Sequence, residues 1–118
     1  MRAKDVLGRR GEELAAGYLK AQGMRIVDRN WRCPEGELDL VLREGDVLVA
    51  CEVKTRRGEG CGSPHEAVDS VRLERLHRLV WRWAEAHDVR PSGTRVDLVA
   101  VLRPRRGAAV VEHVRGLV

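Results

Sequence analysis

The stretch Gly36–Lys54, GELDLVLREGDVLVACEVK, decides how this chain folds. Apolar residues recur along both halves, and REGD at Arg43–Asp46 carries turn chemistry. The segment therefore predicts a β-hairpin with strands over Glu37–Arg43 and Val47–Thr55. Four charges interrupt those strands: Glu37, Asp39, Glu52 and Lys54. A two- or four-residue turn around Glu44–Gly45 pairs Arg43 with Asp46 and Leu42 with Val47. Counting back, Asp39 then faces Ala50 and Glu37 faces Glu52. Because side chains alternate across a strand, all four charges emerge on one face in that register. Leu38, Leu40 and Leu42 share the other face with Val47, Val49, Cys51 and Val53. A three-residue turn would send Glu52 and Lys54 to the opposite side.

Carboxylates that converge on a sheet face repel one another, and something must offset the repulsion. Protonation does so only by raising a pKa. A divalent cation does it better, and Mg²⁺ favours hard oxygen ligands while retaining several waters. Asp39 and Glu52 are the candidate metal ligands, and the carbonyl of Val53 is placed to add a third oxygen. Lys54 points the same way as Glu52 and is suited to hold water or to stabilise charge developing on a phosphate. The competing reading is a solvated sheet face on which Glu37, Glu52 and Lys54 pair for solubility. The mid-strand position of the acids, among apolar neighbours, favours the metal site.

Outward from the hairpin, residues 4–22 carry Leu7, Leu14, Ala15, Tyr18 and Leu19 on one helical arc that ends at Gly23. Glu12 sits at the edge of that arc, whereas Glu13 projects with Arg9 and Lys20. Met24–Arg32 reads as a first strand and Cys33–Gly36 as a turn. Ser63, Pro64 and Glu66 form a capping box, predicting a helix from there to about Ala86, with Arg72 inside its apolar arc. Thr94–Leu102 and Ala108–Val114 read as further strands, the last an edge strand. The order α-β-β-β-α-β-β predicts an α/β or α+β sheet flanked by helices.

The 118 residues suit one domain with a core of its own. With three Trp, one Tyr and no Phe, that core is Leu, Val and Ala. So few aromatics argue against a base-stacking sheet. The net charge of +4, carried chiefly by arginine, suits a polyanionic partner but equally suits ordinary solubility. Cys33, Cys51 and Cys61 are odd in number and have no CxxC spacing. They suggest neither a disulfide framework nor a zinc ribbon, and a reducing cytoplasm is the expected setting. No apolar leader or membrane-length run is present. Cys51, on the apolar face of the hairpin, is expected to pack rather than react.

Taken in order, GRRGEELAAGYLKAQGMRIVDRNWR, GELDLV, CEVKTR, GSPHEAV and RVDLVAV resemble the pattern of the UPF0102 or YraN-like family. That family is similar to PD-(D/E)xK nucleases of restriction-endonuclease-like fold, particularly archaeal Holliday-junction resolvases. The resemblance covers nearly the whole chain. It implies a central mixed sheet of about five strands flanked by helices. It also implies Asp39, Glu52 and Lys54 as the motif acids and lysine, and Glu12 as the first-helix glutamate acting on the metal or its water. Arg72 stands where the family often has Lys, and Arg75 matches a following basic position.

The expected activity is phosphodiester hydrolysis dependent on Mg²⁺ or Mn²⁺, with Arg56, Arg57, Arg72 and Arg75 neutralising phosphates without reading sequence. The expected partner is structured or branched nucleic acid, DNA first. A resolvase-like reaction implies a two-fold homodimer, for which Trp81 or the last strand offers apolar surface. An inactive binding module of the same fold and a protein-interaction domain are the alternatives.

Overall fold

The computed structural model describes residues 3–57 and 68–118. Helix α1 spans Ala3–Ala21, strands β1, β2 and β3 span Arg25–Cys33, Gly36–Glu44 and Val47–Arg57, helix α2 spans Ser70–Ala86, and β4 and β5 span Gly93–Arg103 and Val110–Val114. The strands form one sheet in chain order, antiparallel except for the parallel pair β3–β4, so β1 and β5 are the edges. A parallel pair needs a long crossover, and α2 lies within it.

Each helix covers one face. Ala15 and Leu19 of α1 pack with Leu40, Leu42, Val49, Cys51, Val99 and Val101. Leu76, Leu79, Val80 and Trp83 of α2 pack with Val41, Leu48, Ala50 and Val96. The central strands are thus buried on both sides, and they are rich in Leu and Val for that reason. Helix α1 stops where Gly23 takes a φ of +91°, with the Met24 N–H donating to the Leu19 carbonyl and the Gly23 N–H to Lys20.

The hairpin register differs from the expected one by two residues. Glu44 pairs with Val47 and Leu40 with Cys51, so the turn is the two residues Gly45–Asp46. Gly45 sits at the first central position with a φ of +61°, the conformation a two-residue II′-type turn requires. Arg43 and Asp46 meet through side chains, at 3.0 Å, and not as a ladder pair. A shift of two keeps every face but changes partners: continuing the register sets Asp39, rather than Glu37, across from Glu52.

Two further expectations are corrected. Leu38 leaves the face of Leu40 and Leu42 and packs on the α2 side. The exchange coincides with Asn30, whose φ is +50° and which lies between the pairs Arg29↔Leu40 and Trp31↔Leu38. Helix α2 begins at Ser70, because Asp69 is its N-cap and accepts from the Arg72 N–H at 2.8 Å. The capping box at Ser63–Glu66 lies outside the described residues, as do Cys61 and His65.

Candidate functional site

The β2–β3 ladder ends at Leu40↔Cys51, and beyond it the two strands part. A pocket of about 360 Å³ opens there, lined by Gly8 and Glu12 from α1, Asp39 from β2, Glu52–Thr55 from β3 and Arg72 from α2. Asp39 Oδ2 accepts from the Val53 N–H at 2.9 Å, so a carboxylate caps a strand N–H that the ladder no longer uses. Glu52 is nearly sealed, 4 % exposed, and its Oε1 accepts from Arg72 Nη2 at 2.7 Å. Lys54 Nζ stands 3.7 Å from the same oxygen. Glu12 Oε2 accepts from Asn30 Nδ2 at 3.3 Å. The left-handed Asn30 thereby serves two purposes, turning β1 and steadying the helix acid.

The electrostatics follow from that crowding. Burial, then the charge of Glu52, push the Asp39 carboxyl up to about 7, against the lowering effect of the Val53 N–H; Glu12 adds to the rise. The acids thus hold more negative charge than Lys54 and Arg72 relieve. The Nε of Arg72 is buried and has no hydrogen-bond partner. The pocket thus combines crowded carboxylates with a buried donor whose hydrogen bond is unmet.

Among the described residues, no three His, Cys, Asp or Glu side chains are gathered as a ready-made metal cage. Mg²⁺ does not demand one, since one or two carboxylates, waters and substrate phosphates complete its shell. Asp39 and Glu52 fit that smaller requirement, each keeping one oxygen free of the contacts to Val53 and Arg72.

Glu37 does not join the pocket and instead pairs with Arg32 at 2.8 Å. Arg56 and Arg57 lie exposed at the end of β3, past the site. Arg75 is exposed on α2, its Cδ 3.6 Å from where a Cβ on Gly36 would lie. Arg72 is therefore the one arginine of the four that lines the pocket. The Cys51 thiol is raised well above its ordinary value, first by burial and then by Asp97 and Asp39, and such a thiol packs rather than reacts.

Sequence reasoning passed over Gly11. A Cβ there would lie 1.8 Å from Thr55 Oγ1, so α1 and β3 touch at a point only glycine allows. The signal was a glycine next to Glu12 in the middle of an otherwise strong helix. It also passed over Asp97, fully buried and bound by Arg95 and His113 at 2.8 Å and by the Gly116 N–H at 2.9 Å. This cluster fastens the C-terminal tail.

Fold and pocket define an α/β domain with a mixed five-stranded sheet, two covering helices and an acidic–basic site where two strands diverge. The chain belongs to the uncharacterised protein family UPF0102, which it matches over residues 11–101. A UPF0102 protein of Arthrobacter sp. (strain FB24) is 61 % identical over 117 residues, covering 99 % of each chain. One from Nocardioides sp. (strain ATCC BAA-499 / JS614) is 55 % identical, covering 97 % of this chain and 92 % of its own. One from Streptomyces coelicolor is 54 % identical, covering 99 % and 92 %.

Proposed function

We propose that this protein is a metal-dependent nuclease that hydrolyses phosphodiester bonds in structured or branched nucleic acid, DNA in the first place. The observation that carries the reading is the convergence of Asp39, Glu52 and Lys54 in one pocket, with Glu12 reaching it from the first helix. The resemblance to PD-(D/E)xK nucleases, and to junction resolvases among them, supports the same reading.

Asp39 and Glu52 would hold Mg²⁺ or Mn²⁺, with the Val53 carbonyl as a further oxygen. When bound, such an ion supplies a Lewis acid and lowers the pKa of its water. The chain's own groups have distinct tasks. Lys54 places a cation beside the phosphate that gains charge as water adds in line to phosphorus and a P–O bond breaks. Arg72 holds the Glu52 carboxylate in position through Nη2. Glu12, steadied by Asn30, is positioned to orient water. Arg56, Arg57 and Arg75 would meet neighbouring phosphates, and a resolvase-like reaction would pair two copies to cut two strands. The reducing cytoplasm fits a chain in which Cys33 and Cys51 are free. No helix among the described residues is long and apolar enough to cross a membrane.

The test is a panel of labelled DNA and RNA duplexes, flaps, four-way junctions and single strands, incubated with Mg²⁺ or Mn²⁺. Cleavage by the wild type, lost in Asp39→Ala and Lys54→Ala while binding persists, is the expected result. Binding without cleavage of any substrate would instead identify an inactive module of the same fold. No affinity, or affinity indifferent to salt, would identify a protein-interaction domain.

A further inference from the structure

Several arginines of this protein are answered by carboxylates: Arg32 by Glu37, Arg82 by Glu35 and Arg115 by Glu44. The guanidinium groups of Arg9, Arg10, Arg103 and Arg105 have no such partner among the described residues. Yet they are not scattered. Arg9, Arg10, Leu14 and Arg103 wall a hollow of about 310 Å³, together with Glu13. Arg57, Arg103, Pro104 and Arg105 wall a second of about 290 Å³. Arg103 belongs to both, so the two hollows adjoin at that side chain along one basic groove. Glu13, the acid among the described residues of these walls, is already engaged by Arg29.

The groove is built by the same elements as the pocket. Arg9 follows Gly8 on α1, and Glu12 comes one turn later. Arg57 ends the strand that carries Lys54, and it pairs with Arg103 across the parallel β3–β4 ladder. A chain of phosphates leaving the pocket would meet guanidinium groups next. Single strands are gripped by stacking bases on aromatic rings, and among the described residues this groove has no aromatic side chain in its walls. Trp83 of α2 instead packs in the core between α2 and the sheet, and Trp31 packs against that cluster. Guanidinium groups without rings suit the outer backbone of a double helix, whose bases are already stacked.

We infer that the α1–β4 groove is a docking surface for the phosphate backbone of a duplex arm flanking the cleaved phosphate. The inference rests on the nuclease reading only for which phosphate is cut. The groove itself is testable without catalysis.

Fluorescence anisotropy in EDTA, with a labelled DNA duplex, the matching RNA duplex and a single strand, reads affinity across a salt series. The expected result is tighter binding of a duplex than of the single strand. Arg9→Ala, Arg103→Ala and Arg105→Ala should each weaken it several-fold and flatten the slope of log K against log salt by about 1. Arg78→Ala, exposed on α2, should leave both unchanged. An unaltered slope in all three groove variants, or a preference for the single strand, overturns the inference. The two readings fail separately. Duplex binding through the groove with no cleavage retires the nuclease and keeps the surface. Cleavage with unaltered slopes retires the surface and keeps the nuclease.

Discussion

Gly11→Ala should destabilise this protein, although alanine is the best helix former and Gly11 lies inside α1. Helix propensity alone favours the substitution by about 1 kcal/mol. Against that stands the contact with β3. The new methyl carbon would lie 1.8 Å from Thr55 Oγ1, 2.9 Å from its Cβ and 3.1 Å from its Cγ2. Carbon atoms rest at about 3.5–4.0 Å. A change of the Thr55 rotamer moves Oγ1 and Cγ2 but not Cβ, so α1 itself must lift. Overpacking that forces the backbone to shift falls in the upper part of the usual range, about 2–3 kcal/mol, leaving a net loss of about 1–2 kcal/mol after the propensity gain. Unfolding entropy scales at about 2.1 cal/mol/K per residue. For 118 residues the loss corresponds to a fall in Tm of about 4–8 °C. Because Glu12 is the next residue, lifting α1 also displaces the helix acid, and a misplacement of about 1 Å in a catalytic group costs about 10²-fold in rate. Circular-dichroism melts of Gly11→Ala, Thr55→Ala and the double variant measure the effect. The double-mutant cycle should show the alanine at 11 tolerated better once Oγ1 and Cγ2 are gone. A rise in Tm for Gly11→Ala alone would refute the docking of α1 on β3, since propensity would then be unopposed.

Asp39→Asn should abolish cleavage yet raise Tm in EDTA at pH 8, because the folded carboxyl titrates near 7, above its unfolded value. The native state binds that proton more tightly, so wild-type stability falls as pH rises from about 4 to about 7, and asparagine removes the dependence. Melts of both proteins across that range decide it, and a lower Tm for the variant at pH 8 counts against the crowded pocket. Mg²⁺ at ten times its Kd should stabilise the wild type by about 1.4 kcal/mol, read as a rise in Tm that Asp39→Asn lacks. Burial would raise the Asp97 carboxyl, but the Arg95, Gly116 and His113 hydrogen bonds outweigh it and hold it low. Glu44 is held at about 2 by Arg115 and Arg95. Their stabilisation is present above the ordinary carboxylate range and is lost as pH falls through it toward the folded values. Asp97→Asn should cost about 3 kcal/mol at neutral pH by leaving the Arg95 guanidinium short of its carboxylate, and the gap to wild type should narrow in acid melts.

The hairpin faces were legible because a strand has a period of two and a two-residue turn preserves parity. That sufficed to place Asp39, Glu52 and Lys54 together, whereas the pairing, the place of Glu37 and the face of Leu38 were misjudged. The turn is centred half a residue pair further along, at Gly45–Asp46, since the left-handed position had to fall on Gly45. The departure of Leu38 was not legible. It coincides with the left-handed conformation of Asn30 on the neighbouring strand, and nothing in GELDLV encodes that. The expected helix start rested on the capping box at Ser63–Glu66, outside the described residues, whereas Asp69, which caps α2, was passed over.

Arg72 makes the complementary case. Its place in an apolar arc was visible from the helical period, but its partner was not, because Glu52 is twenty residues away and on another element. The contact explains why a buried carboxylate is tolerable at the core of β3. Left alone, a sealed Glu52 would carry an uncompensated charge costing several kcal/mol. Arg72 Nη2 on Oε1 sets a guanidinium charge directly against it. The same guanidinium keeps a buried Nε without a partner, so one residue both fixes the Glu52 carboxylate and carries an unmet donor. A lysine at this position would supply the charge but no rigid second donor on the same plane. The arginine therefore ties the folding of α2 onto the sheet to the assembly of the site.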